Sequence, residues 1–256
     1  NPGMICELYA PRDEARICED DRAFYTRRNA TYLDTARQAI GQLPQDQQAY
    51  FLAPLLAEAS VHANTSGVFK GFYKNEKGVG QFGGSGKDAL VRILGHIELQ
   101  MPVFSRFECE WRVFQEDANL LVGKLPHVDL AYFDPPYNQH PYGSNYFMLN
   151  LLVDYQRPEE TSRVSGIPVD WNRSRYNQRR EASDALFDLI EKCDAKFCLI
   201  SYNSEGFIQQ DEFLERLGKL GSIEVCQTPY NTFRGSRNLS GRSMHVTEFL
   251  YLLRKS

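Results

Sequence analysis

The chain has 256 residues, of which 42% are hydrophobic and 24% are charged, and its formal net charge is -4. This composition is typical of a soluble globular protein that buries its core in one large domain or two small ones. It excludes a strongly basic protein that binds polyanions over its whole surface, so a nucleic-acid contact would need a local basic patch.

The six cysteines are scattered, without a CxxC pair or a Cys/His cluster. This spacing favours reduced thiols in a cytoplasmic protein over disulfides or zinc ligands. No apolar run approaches the roughly 20 residues that a membrane-spanning helix needs, and no signal peptide is visible, so we expect no membrane association.

The first hundred residues predict helices joined by irregular segments. Residues 5–22 mix charges with prolines and show no periodicity, which predicts an extended or irregular segment. The glycine-rich stretch 71–87 lacks the spacing of a nucleotide phosphate loop, because Lys87 is followed by Asp88. We expect a flexible loop with several lysines there. Apolar residues at helical spacing, with Thr26 available as an N-cap, predict helices at residues 29–40, 44–61 and 88–97.

The second half of the chain alternates predicted strands with predicted helices, and its last two strands are closely spaced. This order predicts an α/β fold with a mostly parallel sheet and a late antiparallel hairpin. The predicted strands are residues 107–114, 128–133, 196–201, 223–228 and 246–253, and the predicted helices are residues 116–121, 181–192 and 211–220.

The clearest chemical signal follows the predicted strand at residues 128–133. Its apolar run at residues 128–131 leads into Asp134-Pro135-Pro136-Tyr137. Ligands of open α/β sheets bind just beyond the carboxyl ends of the strands. An acid there can accept a hydrogen bond from an amino group, and the prolines leave their carbonyls free because they have no N–H. The aromatic ring can stack on a flat substrate. The motif therefore predicts chemistry at the amino group of a planar base.

The same four residues resemble the DPPY catalytic motif of the amino-group DNA methyltransferases. The chain is similar to the Dam-like, adenine-specific branch of that family over nearly its whole length, in the stretches 24–40, 64–74, 128–149 and 200–206. The resemblance implies a Rossmann-like fold that uses S-adenosylmethionine. It also implies methyl transfer to adenine N6 in double-stranded DNA, as part of a restriction–modification system.

The resemblance implies a role for each residue of the motif. The carboxylate of Asp134 and the carbonyl of Pro135 accept the two amino hydrogens of adenine, and Pro136 continues the rigid turn. Tyr137 stacks on the adenine after the base has been flipped out of the duplex. No metal is required.

A second acid is implied on the cofactor side. Asp117 corresponds to the acid that hydrogen-bonds the adenine of the cofactor in the family, although an Asp also begins helices routinely. Glu116 is its weaker substitute, and Asp134 borders both reactants.

Other polar and aromatic residues are candidates for contacts to the base or to DNA. Tyr142, Asn145 and Tyr146 either shape the base pocket or pack a lid, and Asn203 follows a strand that ends at the same cleft. Two loops concentrate arginines that are either solvated charge or phosphate contacts: Arg173, Arg175, Arg179, Arg180, Arg234, Arg237 and Arg242.

One part of the family pattern is missing. The family has a strand followed by a Gly-x-Gly turn before the segment that begins at Phe24, and no such turn precedes that residue here. We therefore expect a single methyltransferase domain over residues 1–256 that lacks its first strands, with a helical, target-recognition-like insertion at about 41–106. The missing cofactor segment points to a truncation, which Asn-Pro-Gly before Met4 favours, to a second polypeptide that supplies it, or to a permuted cofactor site.

Two alternatives to a DNA methyltransferase remain. Related motifs methylate RNA bases or the amide nitrogen of protein side chains, and a chain that cannot hold the cofactor would be a DNA-binding remnant. The acid at position 134 and the length of the resemblance favour DNA adenine.

Overall fold

The computed structural model of the chain describes residues 2–231 and 245–256. Short 3-10 turns cover Val122–Lys124 and Arg175–Asn177. The described helices and strands, in chain order, are α1 (Met4–Tyr9), α2 (Arg27–Ile40), α3 (Gln45–Val61), α4 (Leu90–Leu94), α5 (Ala118–Leu121), β1 (Val128–Phe133), α6 (Tyr142–Asn145), α7 (Phe147–Asp154), α8 (Ala182–Lys192), β2 (Ala195–Asn203), α9 (Gln210–Gly218), β3 (Gly221–Asn231) and β4 (His245–Lys255).

The chain divides into two compact units. The first unit consists of Asn1–Glu108 and Tyr142–Asn172, and the second consists of Cys109–Pro141 and Arg173–Ser256. The predicted insertion at about 41–106 falls inside the first unit. Its role in target recognition stays a prediction.

An aromatic cluster forms the centre of the first unit. The ring of Phe24 lies 5.1 Å from that of Phe72 and 5.9 Å from those of Tyr9 and Phe147, mostly edge to face. All four rings are buried. Edge-to-face contacts of this kind add to the free energy that burial of the rings contributes.

Helix α1 contradicts the predicted irregular segment over residues 5–9, whereas residues 10–22 form neither helix nor strand, as predicted. The buried carboxylate of Asp34 accepts hydrogen bonds from the backbone N–H groups of Gly3, Ile5 and Cys6 at 2.7, 3.1 and 2.9 Å. These donors would otherwise be unsatisfied at the start of a helix. The cap comes from α2, about thirty positions along the chain, so no local pattern indicated it.

Helices α2, α3 and α4 agree with the predicted ones. Helix α2 begins after Thr26, whose hydroxyl accepts a hydrogen bond from Asn29 N at 3.2 Å, and this confirms the predicted N-cap. Helices α3 and α4 lie within the predicted ranges. The unpredicted helices α6 and α7 lie in a stretch whose many aromatic residues obscure the helical period.

The second unit contains a four-stranded sheet in the order β1-β2-β4-β3. Strands β1 and β2 pair in parallel, and β4 pairs antiparallel with both β2 and β3. One face of the sheet packs on α8 and α9 in a core that includes Leu186, Ile190, Phe213 and Leu217. The predicted α/β class and the late hairpin are confirmed, with parallel pairing restricted to β1 and β2 among the described strands.

The predicted strand at residues 107–114 is wrong. This segment has no regular structure, and Phe107, Trp111 and Val113 are exposed. Its alternating pattern is that of a strand, but a strand is stable only when a neighbouring strand satisfies its backbone N–H and C=O groups. No described strand pairs with it.

Candidate active site

The DPPY segment begins immediately after β1, at the carboxyl end of that strand. Phe133, the last residue of β1, is buried and pairs with Ile200 of β2, whereas Asp134 is exposed. Because β1 and β2 run parallel, their carboxyl ends lie at the same edge of the sheet. The buried ring therefore anchors the strand while the next side chain projects an accessible carboxylate.

The connection that follows β2 holds Tyr137. The carbonyl of Tyr137 accepts a hydrogen bond from Phe207 N at 3.0 Å, and its ring meets the buried ring of Tyr202 edge to face at 5.7 Å. Burial raises the pKa of Tyr202, so its hydroxyl stays protonated at neutral pH. A Cβ atom at Gly206 would overlap the ring of Tyr202, which explains a glycine at that position.

The carbonyl of the next residue, Asn138, is held from a different direction. It accepts a hydrogen bond from Nδ2 of Asn177 at 2.8 Å, and Oδ1 of Asn138 accepts one from His140 N at 2.9 Å. No pattern in the sequence predicted a role for Asn177 or Phe207. Tyr202 lies in the stretch 200–206 that carries the family resemblance, which was the one available signal.

A cavity of about 550 Å³ runs along β1 and ends at the motif. This volume is within the range of roughly 300–1,000 Å³ that small-molecule sites occupy. Apolar side chains form most of the wall, and a few polar groups, among them Asp134 and Tyr176, interrupt it, as in many cofactor sites. Its lining includes Ala118, Leu121, Val122, Leu130, Asp134, Pro135, Pro136 and Tyr176.

Asp117 and Glu116 are engaged in local contacts next to this cavity. The carboxylate of Asp117 caps α5, accepting hydrogen bonds from Asn119 N at 2.9 Å and Leu120 N at 3.2 Å. Glu116 pairs with Lys124. Asp117 directly precedes Ala118 in the cavity wall. The proposed contact of either acid with a cofactor stays a prediction.

A partly buried polar network links α5 to α8. Oδ1 of Asn119 accepts a hydrogen bond from the hydroxyl of Tyr176 at 2.7 Å, and Nδ2 of Asn119 donates to Ala185 O at 2.8 Å and to Asp188 at 2.9 Å. Burial and the nearby charge of Asp117 raise the pKa of Tyr176 to about 12. Tyr176 is therefore a neutral hydrogen-bond donor at neutral pH.

Asn203 lies at the carboxyl end of β2, at the same sheet edge as the motif. Its side chain is buried, and Oδ1 accepts a hydrogen bond from Glu205 N at 3.1 Å. It also lines a smaller cavity of about 180 Å³ with Ser204, Gln209 and Tyr251. The predicted substrate contact of Asn203 is not tested by this geometry.

Three predicted substrate residues belong to the first unit. Tyr142 and Tyr146 have their ring centroids 5.7 Å apart, and Asn145 lies between them in the chain. Asn145 is buried, and among the described residues its Oδ1 atom has no hydrogen-bond partner. A buried acceptor without a partner costs free energy, which makes such an atom a candidate for a ligand contact.

Some of the predicted arginines lie in the described part of the chain and others do not. Arg175 Nη2 lies 3.8 Å from Oδ1 of Asp117, so its charge faces an acid. Arg173 is exposed in the second unit. Arg234, Arg237 and Arg242 lie outside the described residues.

Among residues 2–231 and 245–256, no helix has the length and apolar character needed to cross a bilayer.

Comparison with protein families identifies one matching family model. The model describes the D12 class of N6 adenine-specific DNA methyltransferases, and it matches residues 19–213. No solved structure matches the chain.

Several curated proteins are similar to the chain over most of its length. Type II methyltransferase M.CviAII of Paramecium bursaria Chlorella virus 1 is 28% identical over 258 residues, covering 98% of this chain and 70% of the relative. Type II methyltransferase M.NlaIII of Neisseria lactamica is 28% identical, over 92% of this chain and 68% of the relative. Type II methyltransferase M.FokI of Planomicrobium okeanokoites is 26% identical, over 92% of this chain but 35% of its own length.

Proposed function

The chain belongs to the family of D12 class N6 adenine-specific DNA methyltransferases, and we propose that it methylates adenine N6 within a specific site of double-stranded DNA. The α/β fold of the second unit agrees with the fold of S-adenosylmethionine-dependent methyltransferases. The observation that carries the proposal is Asp134-Pro135-Pro136-Tyr137 at the carboxyl end of β1, beside the cavity of about 550 Å³. Type II relatives support a restriction–modification setting.

The motif can activate an amino group whose nitrogen is a weak nucleophile. The lone pair of adenine N6 is delocalised into the ring, so the nitrogen attacks poorly on its own. The carboxylate of Asp134 and the carbonyl of Pro135 accept the two N6 hydrogens and favour localisation of the lone pair on nitrogen. The negative charge of Asp134 also stabilises the positive charge that the nitrogen gains as it attacks.

The volume of the cavity and its largely apolar wall support our proposal that S-adenosylmethionine is held there once the site is complete. S-adenosylmethionine, when bound, supplies an electrophilic methyl carbon on a sulfonium. The apolar residues along β1 and α5 would exclude water around it. Asp117, which directly precedes Ala118 of that wall, and Glu116 as its weaker substitute are proposed to contact the cofactor. Fixing both reactants in one orientation contributes much of the acceleration.

The aromatic residue of the motif stabilises the extrahelical base. Flipping a base out of the duplex costs a few kcal/mol. Stacking on the ring of Tyr137 would offset about 1–3 kcal/mol of this cost. Tyr142, Asn145, Tyr146 and Asn203 are proposed to contact the base, and Arg173, Arg234 and Arg237 are proposed to contact phosphates.

We propose further that a second polypeptide completes the cofactor site by adding a strand along β1. Strand β1 is at the edge of the described sheet, and Leu130 and Tyr132 on it are 54% and 58% exposed. An edge with unpaired backbone groups and exposed apolar side chains is a template for another strand. Calorimetry on the chain alone tests this: we expect no saturable binding of S-adenosylmethionine, and tight binding contradicts the need for a partner.

The reaction itself is tested on the protein purified under mild conditions from its own cells, so that any second polypeptide is retained. The protein is incubated with tritiated S-adenosylmethionine and, in separate reactions, with mixed-sequence duplex DNA, RNA or protein, and the DNA is digested for mass spectrometry. We expect N6-methyladenine. DNA without this product overturns the proposal. Label in RNA or protein would identify the corresponding alternative substrate, and DNA binding without label would identify a binding remnant.

A further inference from the structure

We propose that Asn177 is a positioning residue that holds the DPPY loop in place, as one end of a three-residue bracket formed by Arg175, Tyr176 and Asn177. The proposal rests on the function given above. Each residue of the bracket contacts a different group, and together they connect the segment 117–119 with the loop that follows β1.

The motif has few ways to anchor its own backbone. Pro135 and Pro136 have no N–H groups, so at these positions the chain can be held only through its carbonyls. In the proposed mechanism the carbonyl of Pro135 is reserved for the adenine amino group. The next anchors along the chain are the carbonyls of Tyr137 and Asn138, which accept hydrogen bonds at 3.0 and 2.8 Å.

The hydrogen bond from Asn177 therefore acts at the exit of the motif. Its donor, Nδ2, meets a carbonyl four positions after Asp134 and 39 positions before Asn177 in the chain. The turn that Asn138 forms with His140 gives this carbonyl a defined direction. A shift of that carbonyl is passed on through Tyr137, the one residue between Asn138 and the two prolines, whose own φ angles are fixed.

The other two residues of the bracket connect to the predicted cofactor side. The Tyr176 hydroxyl donates to Asn119 at 2.7 Å, and Arg175 lies 3.8 Å from Asp117. Asn119 is itself held to α8 through Ala185 O at 2.8 Å. Through the bracket, the acid proposed to contact the cofactor and the loop proposed to contact adenine share one support.

Several hydrogen bonds hold the backbone of the bracket, so that its three side chains keep fixed positions relative to one another. Its 3-10 turn is closed by hydrogen bonds from Asn177 N to Ser174 O at 3.1 Å and from Gln178 N to Arg175 O at 3.0 Å. The hydroxyl of Ser174 accepts a further bond from Tyr176 N at 3.3 Å. The ring of Tyr176 packs against the core of the second unit.

The test replaces the amide donor by an acceptor of the same shape. Asn177→Asp puts a carboxylate oxygen against the carbonyl of Asn138. Gln178→Glu is the matched control, because it makes the same amide-to-acid change at an exposed neighbouring side chain. A misplacement of about 1 Å costs about 100-fold in rate, so we expect Asn177→Asp to lower kcat by about that factor with little change in the KM for DNA. Gln178→Glu should retain wild-type kcat.

A second measurement separates this inference from the proposed function. Hydrogen exchange of the backbone around residues 138–140 should accelerate in Asn177→Asp, while exchange in β2 stays as in the wild type. Equal exchange in wild type and variant, or equal kcat, overturns the positioning role. Failure of the wild-type protein to methylate any DNA overturns the proposed function instead, and the exchange experiment still decides whether Asn177 holds the loop.

Discussion

The hydroxyl of Tyr155 donates a hydrogen bond to Oδ1 of Asp34 at 2.7 Å, within the first unit. The same carboxylate caps α1, so Tyr155 at the end of α7 and the first helix share one buried acceptor. The carboxylate of Asp34 thus ties α1, α2 and α7 together. The contact with Tyr155 has consequences for the stability of this unit and for the pH dependence of that stability.

Replacing Tyr155 by phenylalanine should lower the free energy of unfolding. The hydrogen bond is made to a charged group, and such bonds contribute about 1.5–3 kcal/mol. Urea denaturation at neutral pH measures the loss. Tyr50→Phe is the control, because Tyr50 is an exposed residue of α3 in the same unit. Equal loss in both variants would contradict the importance of the Asp34 contact.

The stability that Tyr155 contributes should fall at alkaline pH. Burial, with the Asp34 hydrogen bond and charge as smaller contributions in the same direction, raises the pKa of Tyr155 from 10.0 to about 12. A group whose pKa is higher in the folded state stabilises the fold fully below its unfolded pKa. The difference in unfolding free energy between wild type and Tyr155→Phe should therefore be constant up to about pH 10 and shrink toward pH 12. A difference that grows over this interval would show that the sign is wrong.

Substitution of Asp134 should remove most of the methyl-transfer activity. Asp134→Asn keeps the shape of the side chain but loses its charge and one acceptor, and we expect kcat to fall about 100- to 10,000-fold. Asp129→Asn is the matched control, since Asp129 is an exposed acid of the same strand. Tritium incorporation into duplex DNA measures both, and equal incorporation by the two variants would exclude the role given to Asp134.

A methyl group at Gly206 should disturb the support of Tyr137. The added Cβ of Gly206→Ala overlaps the ring of Tyr202, against which Tyr137 packs. Overpacking of this kind costs about 1–3 kcal/mol, and kcat should fall as well. Gly123→Ala, in the same unit, adds its Cβ to open space and should be neutral or slightly stabilising. Thermal melting that is unchanged in Gly206→Ala would show that the Tyr202 ring moves aside without cost.

Asn145 should show opposite effects on stability and activity. Its Oδ1 atom is buried without a hydrogen-bond partner in the part of the chain that the structure describes. Asn145→Leu therefore removes an unsatisfied acceptor and should raise the unfolding free energy by about 1 kcal/mol. If the atom contacts the flipped base, the same variant should raise the KM for DNA. Asn150→Leu, at an exposed position of α7, controls for the change of residue type. A more stable variant with unchanged kinetics would remove Asn145 from the base site.

The sequence by itself determined the elements whose signals are local. The apolar run before Asp134 predicts β1 and its position at a ligand-binding edge, and Thr26 predicts the start of α2, because a cap or a strand-forming apolar run needs only neighbouring residues. The DPPY motif also indicated the protein family. The tertiary structure alone decided what depends on distant partners: α1 is capped by Asp34, and the alternating segment 107–114 has no described strand to pair with. The support of the catalytic loop by Asn177 belongs to this second class, since a hydrogen bond between residues 39 positions apart is set by packing and leaves no pattern in the local sequence.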